Sequence, residues 1–112
     1  MFTIDTHTHI FPKHLPDFTK KFGYGDFIML DHHEQGKAWM MQGSKRFREI
    51  LENCWSPEVR IEEMKQHQAD MQVICTIPVM FSYWAKPEHG LEVSQFLNDD
   101  IAATFTKYPD KF

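Results

Sequence analysis

The chain begins, after two residues, with Thr3-Ile4-Asp5-Thr6-His7-Thr8-His9-Ile10-Phe11-Pro12, in which a β-branched run ends at a Phe-Pro step. We predict a first strand over Phe2–His9. Side chains two positions apart in a strand point to the same face, so Asp5, His7 and His9 share one face. Two imidazoles directed into one space form half of a metal site, which makes His7 and His9 candidate metal ligands. The alternative is that both histidines only form hydrogen bonds within the strand.

The composition is that of one folded domain at most. Of the 112 residues, 42% are hydrophobic and 14% aromatic, which suits a packed core and not a disordered chain. The net charge is −4 with no basic block, so we expect no nucleic-acid partner. No apolar run approaches the ~20 residues that cross a bilayer, and we expect no membrane association. Cys54 and Cys75 are too far apart for a disulfide scaffold or a structural zinc motif, which favours a reduced, cytoplasmic setting.

Residues 13–55 are predicted to form an inserted lobe after the first strand. Pro12 and Pro16 exclude a continued strand, and a short helical turn is predicted within residues 13–22. A strand candidate at 27–30 has a hairpin partner at 38–41, while residues 47–51 show no clear period. Turn signals that contain glycine separate these pieces, at residues 23–26, 34–37 and 43–44.

The run Ser56-Pro57-Glu58 predicts the start of a helix. Serine can cap a helix, proline is tolerated at its first position, and an early glutamate complements the macrodipole. We expect this helix to end near Ala69. Its inward face is assigned to Val59, Ile61, Met64 and Met71, and its solvent face to Arg60, Glu62, Glu63, Lys65 and Gln66.

A nearly continuous apolar run at residues 71–80 predicts a second main strand, buried on both faces and ending at Pro78. Cys75 within it is expected to be inert core. After an aromatic loop at 81–87, apolar spacing predicts a second helix over 91–108. The order strand, insertion, helix, strand, helix is a βαβα unit with parallel strands. Two parallel strands leave their faces and edges open, so we expect an N-terminal portion of a longer protein, or a chain that needs others to complete its core.

The motif Asp5-x-His7-x-His9 at the end of a first strand resembles the amidohydrolase superfamily. Within that superfamily, the chain resembles the aminocarboxymuconate-semialdehyde decarboxylase family over almost its whole length. The His-x-His motif identifies only the superfamily, whereas the aromatic loop together with Phe47-Arg48 narrows the assignment. The matching stretches are residues 4–13, Phe22-Gly23-Tyr24-Gly25, Phe47-Arg48, Glu52-Asn53-Cys54-Trp55, residues 57–61 and residues 78–87.

The resemblance implies a fold and an activity. The fold would be the N-terminal βαβα part of a (β/α)8 TIM barrel, with residues 1–112 as one portion of a single metal-dependent domain. The activity would be zinc-dependent, oxygen-independent decarboxylation of 2-amino-3-carboxymuconate 6-semialdehyde to 2-aminomuconate 6-semialdehyde. That reaction belongs to tryptophan breakdown by the kynurenine route. The resemblance further implies a homodimer, in which the neighbouring subunit supplies a second substrate-binding arginine.

The resemblance also assigns roles to residues. His7 and His9 would hold Zn2+ together with a third histidine, an aspartate and a water. Those later ligands, and the histidine that acts as acid and base, would lie beyond residue 112. Arg48 would bind the substrate carboxylate, because a planar guanidinium holds a carboxylate bidentately. Asp5 is expected to support the strand end, and the possible pocket residues are Met80, Phe81 and Trp84.

Other interpretations stay open at this point. Without the resemblance, Arg48 is better explained as a surface arginine in a basic cluster with Lys45 and Arg46. The aromatic loop could equally form an apolar lid or a dimer contact. The superfamily also contains hydrolases and hydratases, whose metal sites the sequence does not distinguish from that of a decarboxylase. A third interpretation is that the chain is a truncated, catalytically inactive module that binds a partner or forms a dimer.

Overall fold

The strand that carries the two histidines pairs with a strand far along the sequence. The computed structural model describes all of residues 1–112, and in it β1 (Ile4–His9) and β5 (Met71–Cys75) form a parallel two-stranded sheet. A parallel pair needs a long crossover connection. Here the crossover contains the inserted lobe and then a helix, and a last helix follows β5. The predicted order of the main elements is confirmed.

The lobe is an antiparallel sheet in the order β2-β3-β4. Its strands are β2 (Ile28–Glu34), β3 (Lys37–Gln42) and β4 (Lys45–Leu51). Gly36 and Gly43 lie in the two connecting turns with positive φ, which glycine adopts without steric cost. The hairpin of β2 and β3 and both turns were predicted. Strand β4 was missed, because only Ile50 of its side chains is buried, so its sequence shows no alternation.

Three helices complete the chain. They are α1 (Phe18–Phe22), α2 (Pro57–Gln66) and α3 (Pro87–Lys107). Short 3-10 segments at Glu52–Cys54 and Pro78–Met80 follow β4 and β5. No helix has both the length and the apolar content needed to cross a bilayer.

Helix α2 begins as predicted but ends early and buries an unexpected residue. The Ser56 hydroxyl accepts a hydrogen bond from the Val59 N–H at 3.3 Å, which is the expected cap. The helix ends at Gln66 and not near Ala69, because Gln68 adopts a φ of +58° that is incompatible with a right-handed helix. The assignment of Arg60 to solvent is wrong. Arg60 is only 8% exposed and shares the buried face with Met64, four residues later.

The second main strand is shorter and more exposed than predicted. It ends at Cys75, before a 3-10 turn that starts at Pro78. Val73 is 51% exposed, so burial on both faces is not observed. Cys75 is exposed, which contradicts its assignment to the core. Helix α3 starts at Pro87, before residue 91, because proline suits the first turn of a helix.

The hydrophobic core lies beyond the carboxyl ends of β1 and β5. Phe11 follows β1, Met80 follows β5, and both are 3% exposed. They pack with side chains from the lobe and from α3, so the lobe and the βαβα unit share one core. Its buried members are Phe11, Phe18, Phe27, Ile28, Ala38, Met40, Ile50, Trp55, Met80, Val93 and Leu97.

Gly25 lies against the ring of Trp84. Gly23 and Gly25 both have a φ of +78°, but a Cβ on Gly25 would lie 2.7 Å from Trp84 Cη2, whereas one on Gly23 meets nothing within 4 Å. We expect Gly23→Ala to lower the free energy of unfolding by ~1–2 kcal/mol through backbone strain. Gly25→Ala should cost a further ~1–3 kcal/mol through overpacking. Urea denaturation measures both, and equal losses would contradict the packing of Trp84 on this turn.

The start of α2 is tied to the end of α3 by Glu58. Its carboxylate accepts hydrogen bonds from Lys107 Nζ at 2.9 Å and from the Tyr108 hydroxyl at 2.8 Å. These contacts lower the pKa of Glu58 from 4.5 to about 2, with Lys107 contributing most. Because the folded pKa is the lower one, the stabilisation is present above pH ~4.5 and is lost as the pH falls toward 2.

We therefore expect Glu58→Gln to lower the urea midpoint at pH 6, with an effect that shrinks progressively as the pH falls from 4.5 toward 2. The effect should be small, because the Glu58 side chain is 54% exposed and water screens the pair. The matched control is Glu62→Gln, which removes a surface contact with Lys65 within α2. A midpoint difference for Glu58→Gln that did not shrink with pH would refute this linkage.

Candidate metal and substrate site

The two histidines of β1 lie side by side at the carboxyl end of the parallel sheet. Their ring centroids are 5.0 Å apart and their planes are inclined by 76°. His7 is exposed, whereas His9 is partly buried against the core. The structure thus brings the two rings together, as a shared metal ion requires.

A bulge in β1 includes His7, the first member of this pair. Asp5 pairs with Gln72 and Thr8 with Ile74, so β1 contains one more residue than β5 between these positions. Such bulges redirect side chains and occur beside active sites. The Asp5 carboxylate accepts a hydrogen bond from the His7 N–H at 3.3 Å, within the bulged segment. This contact matches the expectation that Asp5 supports the strand end.

The orientation of His9 is set by the segment that follows β5. Its Nδ1 lies 3.1 Å from the Thr76 carbonyl oxygen. A proton on Nδ1 donates to that carbonyl and leaves the Nε2 lone pair free for a metal, which is the usual arrangement for ligating histidines. The Cys75 Sγ lies 3.2 Å from the same Nδ1 and 3.2 Å from the Thr8 carbonyl oxygen.

The residues present fit part of a zinc shell. A catalytic zinc normally has at least three protein ligands, and His7 and His9 are two with suitable chemistry and direction. No group of three or more His, Cys, Asp or Glu side chains in residues 1–112 is arranged to hold a metal ion. Within residues 1–112, this imidazole pair is the candidate set of metal ligands.

Arg48 lines the same pocket as His9. The pocket measures about 380 Å³, and its walls include Phe11, Asn53 and Ile77. It combines the His9 imidazole, the Arg48 guanidinium and the Glu49 carboxylate with mostly apolar walls, which is typical of a small-molecule pocket. The structure brings these two sequence-predicted site residues together, although they are far apart along the chain.

A second bulge separates Arg48 from its basic neighbour. Met40 pairs with Arg48 and Met41 pairs with Arg46, so Phe47 is an extra residue in β4. The Arg46 guanidinium stacks on the Trp39 ring at 5.2 Å from its centroid. Arg46 therefore packs on the lobe, whereas Arg48 lines the pocket that contains His9. Both arginines are exposed, and the bulge gives them different neighbours.

The aromatic loop at residues 81–87 does not line the pocket that contains His9 and Arg48. Met80 is a core residue, and with Phe81 it lines a separate pocket of about 240 Å³ that also contains Thr76. Trp84 packs on Phe27 with ring centroids 4.6 Å apart and covers Gly25. Within residues 1–112, none of these three side chains lines the pocket that contains His9 and Arg48.

Arg60 was missed as a neighbour of the site. One of its nitrogens, Nη2, donates to the His9 carbonyl at 2.6 Å and to the Asn53 carbonyl at 2.9 Å. Burial lowers the pKa of Arg60, and the nearby Cys54, Glu63 and Asp5 act in the opposite direction. The signal that could have found it is its spacing of four residues from the buried Met64, which places both on one helix face.

Comparison with known proteins identifies relatives of the chain. No protein-family model matches it. It is 51% identical over 109 residues to the 2-amino-3-carboxymuconate-6-semialdehyde decarboxylase of Dictyostelium discoideum, an alignment that covers 97% of this chain and 30% of that protein. The enzyme of that name from Caenorhabditis elegans is 46% identical over 108 residues, which cover 96% of this chain and 27% of the relative. The chain is a relative of these decarboxylases.

A third decarboxylase of that name, from Sus scrofa, is 47% identical over 49 residues, which cover 44% of this chain and 36% of the relative. The resemblance inferred from the motifs is confirmed by these alignments. The chain spans about 30% of the length of the Dictyostelium discoideum decarboxylase and 27% of that from Caenorhabditis elegans. His7, His9 and Arg48 all lie within the part that is related to the decarboxylases.

Proposed function

We propose that this chain is the part of a zinc-dependent decarboxylase that contributes two metal ligands and a substrate-binding arginine. The complete protein would convert 2-amino-3-carboxymuconate 6-semialdehyde to 2-aminomuconate 6-semialdehyde and CO2. The observation that carries this proposal is that His9 and Arg48 line one pocket of about 380 Å³. The 51% identity to a decarboxylase over 97% of the chain supports it independently.

The fold we propose for the complete domain is a (β/α)8 barrel whose first two strands are β1 and β5. Their parallel pairing and the order β1, α2, β5, α3 support this assignment. Active sites of such barrels lie at the carboxyl ends of the strands. His7, His9 and Thr76 lie at that end of the present sheet, and residues 13–55 form the inserted lobe.

The pocket residues His9, Arg48, Phe11 and Ile77, and their neighbours His7 and Thr76, have separate chemical roles in this proposal. When bound, Zn2+ supplies a Lewis acid that lowers the pKa of a bound water to about 7. His7 and His9 hold the ion, and the Thr76 carbonyl keeps His9 in the ligating tautomer. Arg48 orients a substrate carboxylate through two parallel hydrogen bonds. The apolar side chains of Phe11 and Ile77 exclude water and so strengthen these polar contacts.

The reaction itself consists of a proton transfer and a bond cleavage. A proton is added to the carbon that bears the carboxylate, and the bond to that carboxylate then breaks. CO2 leaves, and the electron pair of the broken bond stays on the carbon skeleton. We assign the proton transfers to a histidine beyond residue 112. A second arginine would come from the other subunit of a homodimer, and the reaction would serve tryptophan breakdown by the kynurenine route.

The direct test is an assay of the complete natural protein. We expect it to contain about one zinc per subunit and to consume the carboxylated semialdehyde with release of CO2, followed by the loss of ultraviolet absorbance. Hydrolysis or hydration of other carboxylated substrates without this decarboxylation would refute the proposed reaction. A complete protein that binds no metal would leave the imidazole pair of β1 without the role assigned to it.

The histidine pair can be tested against a matched pair. We expect His7→Gln or His9→Gln to weaken zinc binding by the complete protein at least tenfold, on the order of other losses in zinc shells. His14 and His32 also form a close pair, with ring centroids 5.5 Å apart, but neither lines the pocket, whereas His9 of the first pair does. His14→Gln and His32→Gln should retain zinc. Equal zinc loss in both pairs, measured by metal analysis after dialysis against a chelator, would contradict the assignment.

Arg48 can be tested with a change that preserves charge. We expect Arg48→Lys to raise KM for the carboxylated substrate about tenfold or more, because lysine cannot form the bidentate contact. The effect on kcat should be smaller, since the carboxylate is bound before and during the reaction. Arg46→Lys is the control, because Arg46 stacks on Trp39 outside the pocket. Steady-state kinetics in which both substitutions raise KM equally would argue for a general charge effect.

A further inference from the structure

Arg60 is a buried cation whose hydrogen-bond partners are all neutral. Its guanidinium donates to the main-chain carbonyls of His9 and Asn53, and to the side-chain oxygen of Gln72 at 3.3 Å. Burying an arginine without a hydrogen-bonded carboxylate is costly. The hydrogen-bond partners of Arg60 show which segments this buried guanidinium joins.

The three partners come from three separate segments. His9 ends β1, Asn53 follows β4, and Gln72 belongs to β5. The same nitrogen, Nη2, is bonded to both carbonyls, at 2.6 Å for His9 and 2.9 Å for Asn53. One atom therefore joins the main chain of His9 to that of Asn53, next to the hydrogen bond from the Phe11 N–H to the Cys54 carbonyl at 2.8 Å. Both of these residues line the pocket that contains Arg48.

A further contact from α2 makes this junction stiffer. The Asn53 amide Nδ2 donates to the Glu63 carboxylate at 3.1 Å, three residues beyond Arg60 on the helix. Helix α2 therefore holds Asn53 at its main chain and at its side chain. Arg60 does not itself line the pocket with His9, and instead borders a separate cavity of about 220 Å³. Its influence on a substrate or metal would act through the main chain and not by contact.

We propose that Arg60 is a positioning residue, which sets the place of the His9 imidazole relative to Arg48 by holding the His9 carbonyl against that of Asn53. This inference rests on the proposed function, in which His9 holds zinc and Arg48 binds the substrate. Loss of the guanidinium leaves the His9 carbonyl without this donor, while the next N–H, that of Ile10, still donates to the Cys75 carbonyl at 2.9 Å. We therefore expect loss of the guanidinium to weaken zinc binding and to lower kcat, in addition to any loss of stability.

The test compares two substitutions of Arg60 with one of Met64 in the complete natural protein. Arg60→Met removes the donors and keeps a long apolar stem. Arg60→Lys restores up to three donors on a shorter side chain. Met64→Ala is the control, because Met64 is buried on the same face of α2 but none of its side-chain atoms bonds to His9 or Asn53. Urea midpoints, zinc retention against a chelator and steady-state kinetics are measured for each.

We expect Arg60→Met to weaken zinc retention about 10–100-fold, as substitutions of residues that support metal ligands do. It should lower kcat more than it raises KM. Arg60→Lys should recover part of both. Met64→Ala should lose stability while the folded protein keeps its zinc affinity and kcat. If Arg60→Met does not fold, Arg60→Lys decides the question through its own reduced zinc retention.

These measurements distinguish a failure of the positioning role of Arg60 from a failure of the proposed function. A wild-type protein that binds zinc and decarboxylates, with Arg60 variants that lose only stability in the manner of Met64→Ala, overturns the positioning role and leaves the proposed function intact. A wild-type protein with neither zinc nor decarboxylation overturns the proposed function, and this inference with it.

Discussion

The parallel pairing of β1 with β5 is the constraint from which the rest of the structure follows. Because parallel neighbours cannot be joined by a tight turn, residues 10–70 must leave the carboxyl end of β1 and return to the start of β5. The chain uses this excursion for the lobe and then for α2. The lobe closes where it began, since the Phe11 N–H donates to the Cys54 carbonyl at 2.8 Å and the Ile10 N–H donates to the Cys75 carbonyl at 2.9 Å. The pocket forms at this closure.

Two of the strands that contribute residues to that pocket, β1 and β4, each contain a bulge. An unbroken β1 and an unbroken β4 would present side chains in strict alternation. The extra residue between Asp5 and Thr8 and the extra Phe47 both interrupt that alternation next to candidate site residues. In β4, the result is that Arg46 stacks on Trp39 while Arg48 lines the pocket. Strand register, and not only residue type, therefore separates a structural arginine from a candidate functional one.

Local signals in the sequence predicted most helices, strands and turns. The features that the sequence did not predict depend on contacts between residues that are far apart along the chain. The Ser56 cap and the glycine turns of the lobe depend on neighbouring residues, and they are confirmed. Helical spacing from Met64 could have indicated the buried face of Arg60, but not its hydrogen bonds to the distant carbonyls of residues 9 and 53. For the site, the spacing of His7 and His9 predicted their shared direction. The pocket that joins His9 to Arg48, and the position of Trp84 on Gly25, required the tertiary structure.

The two histidines differ in how firmly the protein holds them. Ile10 and Phe11 are buried in the core directly after His9, whereas Ile4, at the start of the same strand, is 47% exposed. His9 is fixed by the Thr76 carbonyl at its ring and by Arg60 at its main chain. His7 lies on the exposed side, with its N–H on Asp5 and its ring against that of His9. Local stability follows burial and hydrogen bonding, so His9 is the more firmly held member of the pair.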